Sequence, residues 1–87
     1  MKKIVEIDAN EGLPSLLGEE VILLCANYFY AGKLVGINKT CVRLDGAKIV
    51  YETGEWTAKA WKDAQSLGAK PHYVRLGAIE SFRQAEK

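Results

Sequence analysis

The chain has 87 residues, 48% of them hydrophobic, and its 12 basic and 11 acidic side chains leave a net charge of +1. That length holds one domain with a modest core, near the size at which an isolated domain is marginally stable. The balanced charge excludes a polyanion-binding surface over the whole molecule and leaves room only for a local basic patch.

Residues 1–12 read as an N-terminal arm, in which residues 4–7 have the composition of a short edge strand and residues 10–14 are rich in turn formers. Lys2 and Lys3 precede an apolar run that Glu6 and Asp8 interrupt, a pattern of neither a signal peptide nor a membrane span. A soluble chain is therefore expected. Pro14 suits the first position of a short helix over residues 14–17, with Gly18 ending it. Leu13, Leu16 and Leu17 would then cover an open end of the fold.

Residues 21–26 are six consecutive apolar residues, the pattern of a strand buried on both faces. Cys25 falls in this run and Cys41 in the third strand, without the close pairing of a zinc or redox motif, so buried free thiols in a reduced, cytoplasmic setting are expected. Residues 28–38 form a second strand whose Gly32 and Gly36 mark bends or bulges. Asn38 and Lys39 make a tight turn into a third strand, where Val42 and Leu44 face one side and Arg43 and Asp45 the other. Asp45-Gly46 reads either as a bulge, with the strand continuing through Tyr51, or as a hairpin turn. The bulge is the favoured reading.

Residues 53–70 read as an insertion. Ala58, Ala60, Ala64 and Leu67, with Lys59, Lys62 and Gln65, favour a helix over residues 55–68 that places Trp56, Ala60, Ala64 and Leu67 on one face and ends near Gly68 and Pro71. Two short strands follow, residues 73–76 and 79–82 around Gly77-Ala78, and then a polar tail at residues 84–87. The expected fold is a mainly β single domain: a small, strongly bent five-stranded open barrel with a short N-terminal helix and an inserted helical segment before the last two strands.

This order of elements, from Leu13 to Phe82, resembles the Sm-like family, which includes the LSm and Hfq proteins. Gly18, Gly32-Lys33-Leu34 and Val42-Arg43-Leu44 are similar to that family's first motif, and residues 74–82, from Val74-Arg75 to Phe82, to its second. The long segment between the third and last two strands also resembles Sm-like proteins of phages and marine metagenomes. The resemblance implies a homo-oligomeric ring of about five to seven copies, with single-stranded RNA as a ligand and Asn38, Lys39 and Arg75 as its RNA-contacting residues. In RNA-binding members the turn after the second strand carries an Asp, a base-stacking aromatic and an Asn. Here it reads Asn38-Lys39-Thr40-Cys41, one residue shorter and without the aromatic, and Leu76 replaces the Gly that follows the family's Arg. Stacking is worth about 1–3 kcal/mol per base, so the altered turn favours a protein-binding or structural ring, a phage or bacterial accessory factor, while Arg75 favours RNA. A monomeric SH3-like domain binding a peptide through its aromatic residues is a third reading.

The residues themselves support assembly. Val74, Leu76, Ile79 and Phe82 would lie along the last two strands of an open barrel, an apolar edge that a second subunit must cover. Trp56, Lys59, Trp61, Lys62 and Tyr73, with His72, form a candidate aromatic and basic surface that could stack on single strands, although packing of the insertion on the small barrel is the favoured reading. Arg75 has an alternative role in an intersubunit salt bridge, and Asn38 in shaping its turn. A lone histidine without a Cys or carboxylate cluster offers no metal site, and Ser15, Ser66 and Ser81 lack a nucleophile motif. Neither a cofactor nor an enzymatic activity is expected.

Overall fold

The computed structural model describes residues 12–85. The strand-like reading of residues 4–7 and the last two residues of the polar tail lie outside them. The short N-terminal helix is a 3-10 turn, Leu13–Leu16, opened by Pro14, with the Ser15 hydroxyl donating to the Gly12 carbonyl at 2.6 Å. Gly18 follows with φ 90°, in the left-handed region that favours glycine, and its N–H donates to the Leu34 carbonyl at 2.7 Å. Leu13 is buried and Leu16 packs partly against the core, whereas Leu17 faces solvent.

Six strands follow: β1 (Glu20–Cys25), β2 (Phe29–Ile37), β3 (Cys41–Glu52), β4 (Asp63–Ser66), β5 (His72–Arg75) and β6 (Ile79–Gln84). All pair antiparallel in one sheet, ordered β4-β3-β2-β1-β6, with β5 also on β3. The domain is mainly β, and no α-helix occurs among the described residues; nor is any helix there long and apolar enough to cross a membrane. β3 carries two partners on one side, because residues 41–44 pair with β5 and residues 48–52 with β4.

The expected bulge lies within β3. Lys33 pairs with Asp45 and Ala31 with Lys48, so Gly46 and Ala47 together stand opposite Gly32. Gly46 has φ 60°, which lets the strand continue through the extra residue. A Cβ on Gly32 would sit 3.1 Å from both the Ala47 Cα and the Asp45 carbonyl oxygen, so the backbones of β2 and β3 meet there with no room for a side chain.

Strand alternation and register sort the apolar residues onto two faces. Val21 and Leu23 of β1, Leu34 of β2, Val42, Leu44 and Ala47 of β3 and Val74 of β5 form the main core with Leu13. Ile22 pairs with Ala31, so these two lie on the opposite face, as does Val50. They are equally buried, so β1 is covered on both sides, as its unbroken apolar run predicts.

Residues 53–62 supply cover for that second face. The Lys62 N–H donates to the Thr53 carbonyl at 3.3 Å, closing the base of the loop. Trp56 and Trp61 meet edge to face with centroids 5.9 Å apart, and the Arg83 guanidinium lies 5.7 Å from the Trp56 ring centroid. Arg83 is the β6 partner of Ile22, which places the loop over the buried patch. Trp56→Ala is expected to lower unfolding free energy by about 1–2 kcal/mol, less than for a fully buried ring because Trp56 is half exposed. Urea denaturation measures the loss; an unchanged midpoint would place the cover elsewhere.

The expected helix over residues 55–68 does not form. The middle of its apolar face would have been alanine, Ala60 and Ala64, and an isolated helix of that length is marginal without a large buried stripe. A competing demand prevails: beyond the reach of β5, the outer side of β3 has unpaired backbone groups. β4 pairs with them from Lys48–Ser66 to Glu52–Asp63, and the Leu67 N–H extends the contact to the Ala47 carbonyl at 2.9 Å. The insertion is thus a closed loop and a sixth strand, in place of five strands and a helix.

Candidate functional site

The β2–β3 turn is built by Asn38. Its side-chain oxygen accepts from the Thr40 N–H at 2.8 Å, the Cys41 N–H at 2.8 Å and the Thr40 hydroxyl at 3.1 Å. An Asx turn of this kind spends the oxygen on local backbone donors. Asn38 therefore serves the turn, and that oxygen is not available to read a base edge.

Lys39 and Arg75, far apart in sequence, come together. Register places Cys41 opposite Arg75, and the Leu76 N–H donates to the Thr40 carbonyl at 2.9 Å, clamping the turn to the end of β5. The result is an open cavity of about 630 Å³ lined by Lys39, Thr40, Arg75, Leu76, Gly77 and Ala78. Neither cation has an ion-pair partner among the described residues. The two ion pairs found there, Arg43–Asp45 at 3.1 Å and Lys62–Glu52 at 3.3 Å, are exposed and contribute little to stability.

The candidate aromatic and basic surface separates into two places. Trp56, Lys59, Trp61 and Lys62 belong to the loop that reaches Arg83 on β6, and Lys62 is paired with Glu52. Tyr73 belongs to β5, opposite Arg43, and borders a small depression with Asn38 and Cys41.

Tyr73 also borders a second groove, of about 560 Å³, between the β1–β2 connection and β5. Tyr28, Tyr30, His72, Tyr73, Arg75 and Glu80 supply its aromatic and charged lining. Tyr30 stacks on His72 with centroids 5.1 Å apart, and the register of each strand on β3 puts both on the core face. Tyr28 meets Tyr51 edge to face at 5.8 Å. Sequence reading places Tyr28 and Tyr30 in the second strand and His72 with the aromatic and basic surface; the spacing of Tyr28 and Tyr30 is the one signal of a shared aromatic face, and it does not reveal β5 beside them. Cys25 lies in this groove wall, where burial, and secondarily the Glu80 carboxylate, push its thiol up and keep it protonated. No group of three metal-ligating side chains occurs among the described residues.

The candidate interface residues also divide. Val74 is buried in the main core opposite Val42, and Leu76 and Ile79 pack partly against that core. Phe82 pairs with Leu23 yet remains 38% exposed, because among the described residues no strand lies beyond β6. What the two strands present outward is chiefly backbone. The in-register bond from the Ala85 N–H to the Glu20 carbonyl at 2.8 Å fixes the alternation along β6, so Arg83 bonds inward to β1 while the N–H and C=O of Phe82 and Gln84 face outward. By the same alternation, set by the Leu76–Thr40 bond, the backbone groups of Tyr73 and Arg75 face outward from β5.

Fold and site together define a small antiparallel β module with two open strand edges, a basic cavity and an aromatic groove. Comparison with protein-family models, with curated proteins and with solved structures finds no match in any of the three.

Proposed function

We propose that this chain is an Sm-like module that assembles by adding β6 of one copy to β5 of the next, forming a homo-oligomeric ring of about five to seven copies in the cytoplasm, and that the Lys39–Arg75 cavity binds the backbone of single-stranded RNA. The observation that carries the assembly is the pair of open edges. β5 and β6 are consecutive in the chain yet lie on opposite edges of the sheet, and each presents two outward backbone positions spaced two residues apart. Tyr73 and Arg75 of one copy can therefore exchange hydrogen bonds with Gln84 and Phe82 of another.

The bent form of the sheet is supported by chain length. Four peptide steps join Arg75 to Ile79 and span at most about 14 Å, whereas the edges of a flat β5-β3-β2-β1-β6 path are about 19 Å apart. Glycine at the β2–β3 crossing and register shifts in three strand pairs are the means of curvature.

Lys39 and Arg75 support phosphate contact, and a ring would repeat the pair around its axis. The turn has no aromatic platform and Asn38 is committed locally, so recognition rests on charge more than on base identity. Fluorescent U-rich and A-rich oligomers titrated across a salt series test this reading. Both should bind in a salt-dependent manner, and Arg75→Ala should weaken both about equally while lowering the salt slope by about 1 per site. Absence of binding at tens of micromolar, in protein that light scattering finds assembled, would assign the ring to a protein partner instead.

A further inference from the structure

The aromatic groove between the β1–β2 connection and β5 has a chemistry that phosphate binding does not use. Four aromatic residues, Tyr28, Tyr30, His72 and Tyr73, line a space of about 560 Å³, within the range of small-ligand sites. Three of them are held in orientation by ring contacts, Tyr30 and His72 by their mutual stack and Tyr28 by its edge contact with Tyr51. Tyr28 and Tyr73 remain largely exposed and so can receive a guest without unfolding anything. Glu80 is the one carboxylate in the lining, and it has no ion-pair partner among the described residues.

We propose that this groove binds a methylated ammonium group, held against the faces of the tyrosine rings and neutralised by the Glu80 carboxylate. Aromatic faces carry negative electrostatic potential and attract cations within about 6 Å of the ring centroid. A methylated ammonium has apolar methyl groups for the rings to contact and sheds hydration more readily than a bare ammonium, so entry into a ring-lined groove is less costly. Rings already fixed by their neighbours lose little freedom on binding. An anion is disfavoured by the same ring faces and by Glu80.

The inference is independent of the RNA reading, and one residue separates them. Arg75 borders both this groove and the Lys39 cavity. Its charge favours phosphate on one side and opposes a cation on the other, so Arg75→Ala should weaken RNA binding and strengthen ammonium binding.

The test is a titration of the full chain with choline chloride, followed by NMR shifts of the Tyr28, Tyr73 and Glu80 backbone amides. Its neutral isostere, 3,3-dimethyl-1-butanol, runs alongside. Choline should give saturable shifts confined to the groove and bind at least about fivefold more tightly than the alcohol, with Tyr73→Ala and Glu80→Gln each weakening it several-fold. Both substituted side chains are exposed, and an unchanged thermal midpoint will confirm that the variants fold. A short peptide with one trimethylated lysine, compared with its unmodified form, identifies the source of the group. Preference for the methylated peptide over choline assigns it to a protein ligand, and the reverse to a small molecule. Equal binding of choline and the alcohol, shifts outside the groove, or no saturation at all would overturn the proposal.

Discussion

Phe82→Pro should convert the proposed ring to a monomer of 9.6 kDa while leaving the sheet intact. Phe82 sits at a non-hydrogen-bonded position of the β1–β6 ladder, flanked by in-register bonds that Ser81 and Arg83 make to β1. Its N–H therefore faces the open edge, and removing it takes no bond from the monomer. Proline is tolerated on an edge strand for this reason. The same substitution deletes one donor from each proposed β5–β6 junction and sets a pyrrolidine ring where the neighbouring strand must approach. Weakening of at least about tenfold per junction is expected from the lost bond and the clash together. In a closed ring every junction carries the defect. Light scattering at micromolar concentration reads the mass, circular dichroism checks that the strands remain, and Phe82→Ser separates loss of the ring side chain from loss of the N–H. Assembly lost as completely with serine as with proline would move the interface from the backbone edge to the Phe82 side chain. An unsubstituted chain already at 9.6 kDa would remove the ring altogether.

Where a residue's pattern reflects its own strand, the fold is legible from sequence. The apolar run of β1 announces a strand buried on two faces because both neighbours' demands are written into its side chains. Gly32 and Gly46 announce an irregular crossing and a bulge because glycine meets the close approach at the one and the positive φ at the other. The insertion is not legible in the same way. Alanine and lysine at residues 58–64 carry helix propensity, but what decides the segment is an unpaired stretch of β3 whose need is set by the length of β5, a feature of no local pattern. The same limit governs the site. Lys39 and Arg75 stand 36 residues apart in the sequence, and only the pairing of β5 with β3 brings them to one cavity. The groove needs Tyr28 and Tyr30 from one end of β2 and His72 and Tyr73 from β5, a proximity in space that no local pattern displays.

Gly32→Val should destabilise the domain more than any surface change and should do so through backbone contact. A Cβ at this position meets the Ala47 Cα and the Asp45 carbonyl at 3.1 Å and the Leu44 Cβ at 3.4 Å. Two of the three neighbours are main chain, so no rotamer change relieves the contact. The bulged residues of β3 must move away from β2, at the point where β3 turns from its β5-paired half to its β4-paired half. Gly32→Ala asks for a few tenths of an ångström of that movement, and Gly32→Val adds two methyl groups inside the core beside Leu34 and Ala47. A loss of about 1–3 kcal/mol is expected for such overpacking, with valine at the upper end. For a domain with so modest a core, that is a large share of a total stability of about 5–15 kcal/mol. Urea unfolding gives the free energy, and amide exchange tells where it is lost. Protection should fall along both halves of β3 and along β4 and β5, the strands whose partner shifts, while the β1–β6 ladder is spared until global unfolding. Uniform loss of protection across all six strands would mean that the crossing is rigid and that the sheet fails as one unit; an alanine variant as stable as the parent would mean that β3 yields there freely and that the crossing does not require glycine.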